Sequence, residues 1–170
     1  METDRLILRR FEEADLDDLY AYLSDSKTLK YEPYLPMTRK ETEAELHKRI
    51  NDPQMIAVAR KEDHRLIGNL WLDNTFETQK ELGFVFHHLY WHQGYAKEAC
   101  TAVIKDAFDH GVNIIMAECD PENENSWRLL EALGMKRVRH LHANVYFIKD
   151  ESGNPIWKDT YIYARVGGNL

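Results

Sequence analysis

The sequence predicts an α/β chain of the α+β kind, a mixed and mostly antiparallel sheet with helices on both faces. Three observations point there. Strand-like runs at 54–61, 65–73 and 79–88 follow one another with short turns, the pattern of an antiparallel meander. A helix-patterned segment then separates the third run from a further strand at 113–119, a βαβ crossover. Regular βα alternation and a G-x-G-x-x-G turn after the first strand are both missing, which argues against a Rossmann domain.

The elements read in order as follows. Residues 3–11 alternate Leu6 and Leu8 against charged neighbours, a first strand. Leu16, Leu19, Tyr20 and Leu23 recur at helical spacing, whereas the two prolines of 31–37 mark a loop. Thr38 with Glu41 three residues on is a capping box opening a second helix to about Ile50, whose sparse apolar face places it exposed near an entrance. After the meander, Ala96, Ala99, Cys100, Val103, Ala107 and Phe108 fit a helix of about four turns with Gly111 as its C-terminal cap. The strand at 113–119 leads to a helix with Trp127, Leu130 and Leu133 inward, ending at Gly134. Two strands, 135–148 and 157–165, close the chain around a turn at 152–155.

A length of 170 residues suggests one domain, 1–170. With 44% hydrophobic and 30% charged residues the chain is neither disordered nor fibrous. Apolar runs such as Ile114 to Ala117 stop at four residues, far below the ~20 of a membrane span, and the charged start METDR is not a signal peptide, so a cytoplasmic protein without membrane contact is expected. The formal net charge of −7 and the lack of a basic stripe argue against nucleic acid as the main partner. Cys100 and Cys119 sit in apolar surroundings and read as buried free thiols. His87, His88 and His92 cluster, but adjacent strand residues face opposite ways and no Cys or Asp completes a zinc spacing, so no metal is expected.

Two segments carry chemistry. In 81–100 a loop with Gln93, Gly94, Tyr95, Ala96 and Lys97 enters a helix, where small residues leave backbone N–H groups open to an anion at the positive end of the helix dipole. The plain alternative is an ordinary helix start. In 118–135, Asn123, Asn125 and Ser126 open another helix and also suit caps and turns.

Taken together, Gln93-Gly94-Tyr95-Ala96-Lys97-Glu98-Ala99, then helix, strand and Asn-x-x-Ser-x-x-Leu-Leu-Glu-x-Leu-Gly from Asn123, resemble the GNAT acetyltransferase superfamily. The opening Thr3, Arg5, Leu6, Leu8 and Arg9, with Glu81-Leu82-Gly83, resemble its branch of ribosomal-protein N-terminal acetyltransferases. The likeness is collinear from Thr3 to Met135. It implies a sheet splayed into a V between the strand ending near His88 and the strand at 113–119. Acetyl-CoA would enter that V, with pantetheine along the backbone of Val85 and Phe86 and pyrophosphate on the amides of Gln93 to Lys97. Asn123 joins the implied cofactor contacts. Trp91 stands where the family pattern has Arg or Gln, leaving Lys97 and Arg128 as local cations.

The implied reaction moves an acetyl group directly to a primary amine, first a protein or peptide N-terminal α-amine, alternatively a small-molecule amine (polyamine, aminoglycoside or amino acid). A non-catalytic CoA sensor is the reading from another class, because Leu130 occupies the place of the family's usual acid tyrosine. A lysine-type amine is under about 0.1% neutral at pH 7 and an α-amine about 10–20%, so proton removal matters more for the former. Glu81 is the candidate base and Ser126 the candidate acid. His140 and His142 share a strand face that either lines the acceptor cleft or is simply half-exposed. A monomer or homodimer is expected.

Overall fold

The computed structural model describes residues 1–167. Seven strands form one sheet: β1 (Leu6–Arg9), β2 (Met55–Arg60), β3 (Leu66–Phe76), β4 (Gln79–Phe86), β5 (Ile114–Cys119), β6 (Lys136–Lys149) and β7 (Pro155–Val166). They lie in the order β1-β2-β3-β4-β5-β7-β6, and every neighbouring pair is antiparallel except β4–β5. Four helices accompany them: α1 (Leu16–Leu23), α2 (Arg39–Asn51), α3 (Tyr95–Asp109) and α4 (Glu124–Ala132).

The parallel pair is the unusual one. Its register runs only through Gln79–Ile114, Lys80–Ile115 and Glu81–Met116. Beyond Glu81 the two strands part, while β4 stays paired with β3 up to Phe86 and β5 with β7 up to Cys119. The sheet is therefore open as a V whose vertex is the Glu81–Met116 pair, as the sequence resemblance implied.

Alternation along the strands sends side chains to two cores. Leu70, Leu82, Phe86, Ile115 and Ala117 pack with Ala99, Cys100, Val103 and Ile104 of α3 and Leu130 of α4. On the other face Ala57, with Val85 beside it, packs against Leu19, Tyr22 and Leu23 of α1 and Leu46 of α2. The expected inward position Tyr20 is only half-buried; Tyr22 is the fully buried tyrosine. Its hydroxyl donates to Asn69 Oδ1 of β3 at 2.8 Å, and Arg49 Nη1 of α2 donates to the same oxygen at 2.8 Å. Arg49 is 5% exposed, so the sparse apolar face of α2 is completed by a buried arginine held on Glu45. The capping box forms as expected, with Glu41 accepting from the Thr38 N–H at 2.8 Å and Thr38 Oγ1 accepting in return at 3.3 Å.

One further expectation is corrected in detail. The third meander strand ends at Phe86, and His88 already belongs to a 3₁₀ turn, so His87 and His88 are not successive strand residues. Instead His88 Nδ1 pairs with Asp25 Oδ2 at 2.6 Å and its N–H donates to Thr28 Oγ1 at 3.0 Å, which fastens the α1–α2 connection to the end of β4. The His140 and His142 rings lie 3.9 Å apart, tilted by 44°, and both bond Asp159 Oδ2 on β7, at 2.7 and 2.9 Å. The ladder register shifts beside them, where Ala143 takes φ 44°. Cys100 is buried, Cys119 half-buried, and both are free thiols. Among the described residues no helix is long and apolar enough to cross a membrane.

Gly68 of β3 shows how tightly β4 is held. A Cβ there would run into the Val85 carbonyl oxygen and meet Phe86 Cα at 2.9 Å, both backbone atoms that cannot rotate away. Gly68→Ala is accordingly expected to cost about 1–3 kcal/mol, the range for overpacking a close-packed interior. Urea unfolding should show a lowered midpoint, with the m-value unchanged.

Candidate active site

A cleft of about 320 Å³ occupies the opening of the V. Phe84, Val85 and Phe86 of β4 form one wall, Gly94, Ala96 and Lys97 at the start of α3 a second, and Asn123, Ser126 and Arg128 of α4 a third. Tyr95 also lines it. The site residues expected from the sequence thus converge, with two exceptions. Gln93 and Glu81 are not among the lining residues.

Gln93 holds the loop in shape. Its Nε2 donates to Leu89 O at 2.9 Å, and its own carbonyl accepts from Arg5 Nη1 at 3.0 Å. Gly94 follows at φ 82°, in the left-handed region that glycine adopts without steric cost, and opens α3 with no side-chain cap. The Glu98 N–H bonds back to Gly94 O at 3.0 Å, which leaves the amides of Tyr95, Ala96 and Lys97 as the unpaired donors of the first turn. The one carboxylate of that turn, Glu98, points away to the N-terminal strand. It accepts from Thr3 Oγ1 at 2.6 Å, from the Arg5 N–H at 2.8 Å and from Arg5 Nε at 2.7 Å. Thr3 and Arg5 of the opening motif therefore neutralise a charge that would repel an anion. Arg9 of the same motif pairs with the buried Asp15 at 2.7 Å.

The exposed edge of β4 can be read from its hydrogen bonds. The Thr78 carbonyl accepts from the N–H groups of Asn113 and Ile114, on the β5 side, whereas the His87 N–H donates to Ile67 O on the β3 side. Backbone groups alternate sides along a strand. Leu82, Phe84 and Phe86 consequently turn their amides into the V, and Val85 turns its own toward β3, leaving its side chain as part of the wall. The Phe86 carbonyl is already taken, by Trp91 Nε1 at 2.7 Å. That bond gives Trp91 a structural role at the position where the family pattern has Arg or Gln.

Asn123 caps α4, its side chain accepting from the Ser126 N–H at 3.3 Å. Ser126 is buried yet reaches the cleft, near enough to Cys119 to lower the pKa of its thiol. Burial pushes that thiol up to about 11 against the help of the Ser126 hydrogen bond, which makes Cys119 a poor nucleophile at neutral pH. Arg128 pairs with Glu124 at 2.7 Å, while Lys97 has no ion pair among the described residues.

Glu81 occupies the vertex, opposite Asp73 of β3 and beside Met116 of β5. Burial raises its pKa, and the carboxylates of Glu118 and Asp73 raise it further. Each effect makes it a stronger base than an exposed glutamate. Two residues that sequence reasoning passed over line the cleft as well, Thr28 and Glu32 from the α1–α2 connection. Both lie in the loop between the first two helices, N-terminal to Pro33, and no sequence motif singles them out.

The comparisons agree with this geometry. The family model described as acetyltransferase (GNAT) domain matches residues 5–136. A GNAT-family acetyltransferase from Bacillus anthracis is 31% identical, with a TM-score of 0.90 and 98% of each chain covered. A ribosomal-protein-S5-alanine acetyltransferase from Vibrio fischeri (19% identity, TM-score 0.79, 99% and 97% covered) shares the fold. So does a spermidine N-acetyltransferase from Vibrio cholerae solved with CoA and spermine (19% identity, TM-score 0.78, 97% of each chain covered). With a V-shaped sheet, an uncapped helix start at its mouth and a family match over most of its length, this chain belongs to the GNAT acetyltransferases.

Proposed function

We propose that the chain works as one domain that transfers the acetyl group of acetyl-CoA to a primary amine held above the vertex of the V. The observation that carries this reading is the separation of β4 and β5 beyond Glu81, which leaves a strand edge beside an uncapped helix N-terminus. The edge at Leu82, Phe84 and Phe86 suits an extended amide chain such as pantetheine, with Val85 as wall. The amides of Tyr95, Ala96 and Lys97 suit a pyrophosphate, with Lys97 and Arg128 as cations and Gln93, Gly94 and Asn123 shaping the site.

Acetyl-CoA supplies the thioester: the new C–N bond forms at its carbonyl carbon as the C–S bond breaks. Glu81 removes the proton of the acceptor nitrogen, directly or through water, and Ser126 donates a hydrogen bond to the departing thiolate. The thiol is a weak base beside an amine, so most of the rate should come from orientation, worth up to roughly 7–11 kcal/mol. No step needs a metal. For the acceptor, the sequence resemblance favours a peptide α-amine. A second reading, a small cationic amine, is favoured by the carboxylates of Asp73, Glu81 and Glu118 gathered at the vertex.

Three outcomes are expected. CoA should raise the Tm of the wild-type protein and fail to do so for Lys97→Glu, which reverses an exposed charge without touching the fold; equal shifts would remove the helix start from the cofactor site. Ser126→Ala should lower turnover by about 10²-fold or less, the bottom of the range for acid catalysis, with the Kd for acetyl-CoA kept within a few-fold. Single-turnover rates check this, and an unchanged chemical step returns Ser126 to packing. For Glu81→Gln, kcat/KM should fall, and the deficit should shrink as pH rises because the amine then loses its proton to solvent. A deficit that is flat with pH would leave Glu81 a structural carboxylate.

A further inference from the structure

Glu32 lies in the α1–α2 connection, outside every motif of the sequence, yet it lines the cleft together with Phe84, Val85 and Ser126. The segment that carries it is held in place. Asp25 and Thr28 grip His88 at its start, the Tyr31 ring lies 5.8 Å from Lys158 Nζ of β7, and Thr38 caps α2 at its end. Position is thus set by neighbouring elements, independently of any ligand.

The Glu32 carboxylate makes no hydrogen bond or ion pair among the described residues, in which every fully buried side-chain polar atom has a partner. Its oxygens must therefore open to free space, and the space that Glu32 borders is the cleft. Burial pushes the carboxyl up to about 7, against the pull of Arg49. Arg49 cannot act as a partner for it, since its guanidinium is already committed to Glu45, Asn69 and Tyr22. A half-buried carboxylate left without a partner opposes folding, and such groups gather at binding sites.

Nothing in the transfer of an acetyl group requires this carboxylate. The reacting nitrogen must lose its proton at the vertex, so it offers no lasting positive charge. A carboxylate elsewhere in the cleft gains most from a cation that stays charged throughout the reaction. We propose that Glu32 is a specificity-determining residue that binds a second, non-reacting ammonium group of the acceptor, so that diamines are acetylated in preference to monoamines of similar length. The inference rests on the acetyl-transfer reading above and extends it from a primary amine to a dicationic one.

Glu32 ionises near neutrality, so the preference should grow as pH rises through that range. The groups acting on it are Arg49 from α2 and Tyr34 from its own loop. The other titratable groups bordering the cleft are Tyr90, His92 and Tyr95 before and at the start of α3, Lys97 of α3 and Arg128 of α4. Stability moves in the opposite sense. Because the folded pKa lies above the ordinary value of 4.5, the folded state holds the proton more tightly, and stability falls as pH rises from about 4.5 to about 7. Removing the charge should then stabilise the fold at alkaline pH.

The test compares kcat/KM for 1,4-diaminobutane and butylamine in the wild type and in Glu32→Gln, at about pH 6 and about pH 8, with Tm measured alongside. The wild type should prefer the diamine, more so at the higher pH. Glu32→Gln should lose that preference by about 10-fold to 100-fold, the worth of one hydrogen-bonded charge pair, mainly through KM. It should also melt higher than the wild type at the higher pH, whereas a structural role predicts a lower Tm. A wild type that acetylates amines without favouring the diamine overturns the proposal and leaves acetyl transfer standing, as does a preference that survives in Glu32→Gln. Failure of every amine and peptide to release thiol from acetyl-CoA overturns acetyl transfer and this inference with it.

Discussion

The structure depends on one departure from ordinary sheet geometry, the separation of two parallel strands after three paired positions. A buried strand edge without partners is costly, because each unpaired N–H or C=O forfeits the hydrogen bonds it had in water. Here the cost is contained at both ends. At the vertex β4 and β5 are still paired through Glu81 and Met116, and at the open end the indole of Trp91 covers the Phe86 carbonyl. Between them remains a short length of strand that an extended amide can complete, which is recognition by strand addition built into the inside of a sheet. The parallel crossover that creates the gap also delivers α3, whose free amides face the same opening. The free strand edge and the free helix start are thus consequences of one topological fact.

Keeping that helix start receptive requires control of charge. The chain carries seven more acidic than basic charges, and a carboxylate in the first turn of α3 would oppose a phosphate. Glu98 is such a carboxylate, and it is drawn aside by Thr3 and Arg5, the latter also gripping the Gln93 carbonyl. The segment that leads into β1 therefore clamps the loop before α3 as well as feeding an edge strand of the sheet. Across the molecule the pattern inverts. Asp73 and Glu118 stand close enough to raise the Glu81 pKa, and Glu32 borders the cleft with no ion pair among the described residues. The free helix-start amides and these carboxylates thus stand at different parts of the V, which is the polarity that joining a CoA thioester to an amine calls for.

The elements and the local geometry of the two helix starts were legible before the fold because each rests on contacts close in sequence. The Thr38–Glu41 capping box, the left-handed Gly94 and the Asn123 cap are all made within four residues. What the sequence misread or left open is decided by neighbours distant in sequence. Tyr20 and Tyr22 are equally good helical positions, and only the approach of Asn69 and Arg49 turns Tyr22 inward. His87 and His88 look like strand residues until Asp25 and Thr28, some 60 positions earlier, draw His88 into a turn. His140 and His142 had no visible partner in the sequence, and Asp159 supplies one from the opposite strand.

By itself the sequence determined the order and type of the elements, the family and the residues that surround the helix N-terminus, since periodicity, capping and a collinear motif are properties of the chain alone. Tertiary structure decided where β4 stops pairing with β5, which amides of β4 face the gap, how the Arg5–Glu98 clamp clears the anion site, and that Glu32 reaches the cleft. Each of these depends on the relative placement of segments tens of residues apart. Such placement is set by packing and long-range hydrogen bonds, whose energies are comparable for many alternative partners until the whole fold selects among them.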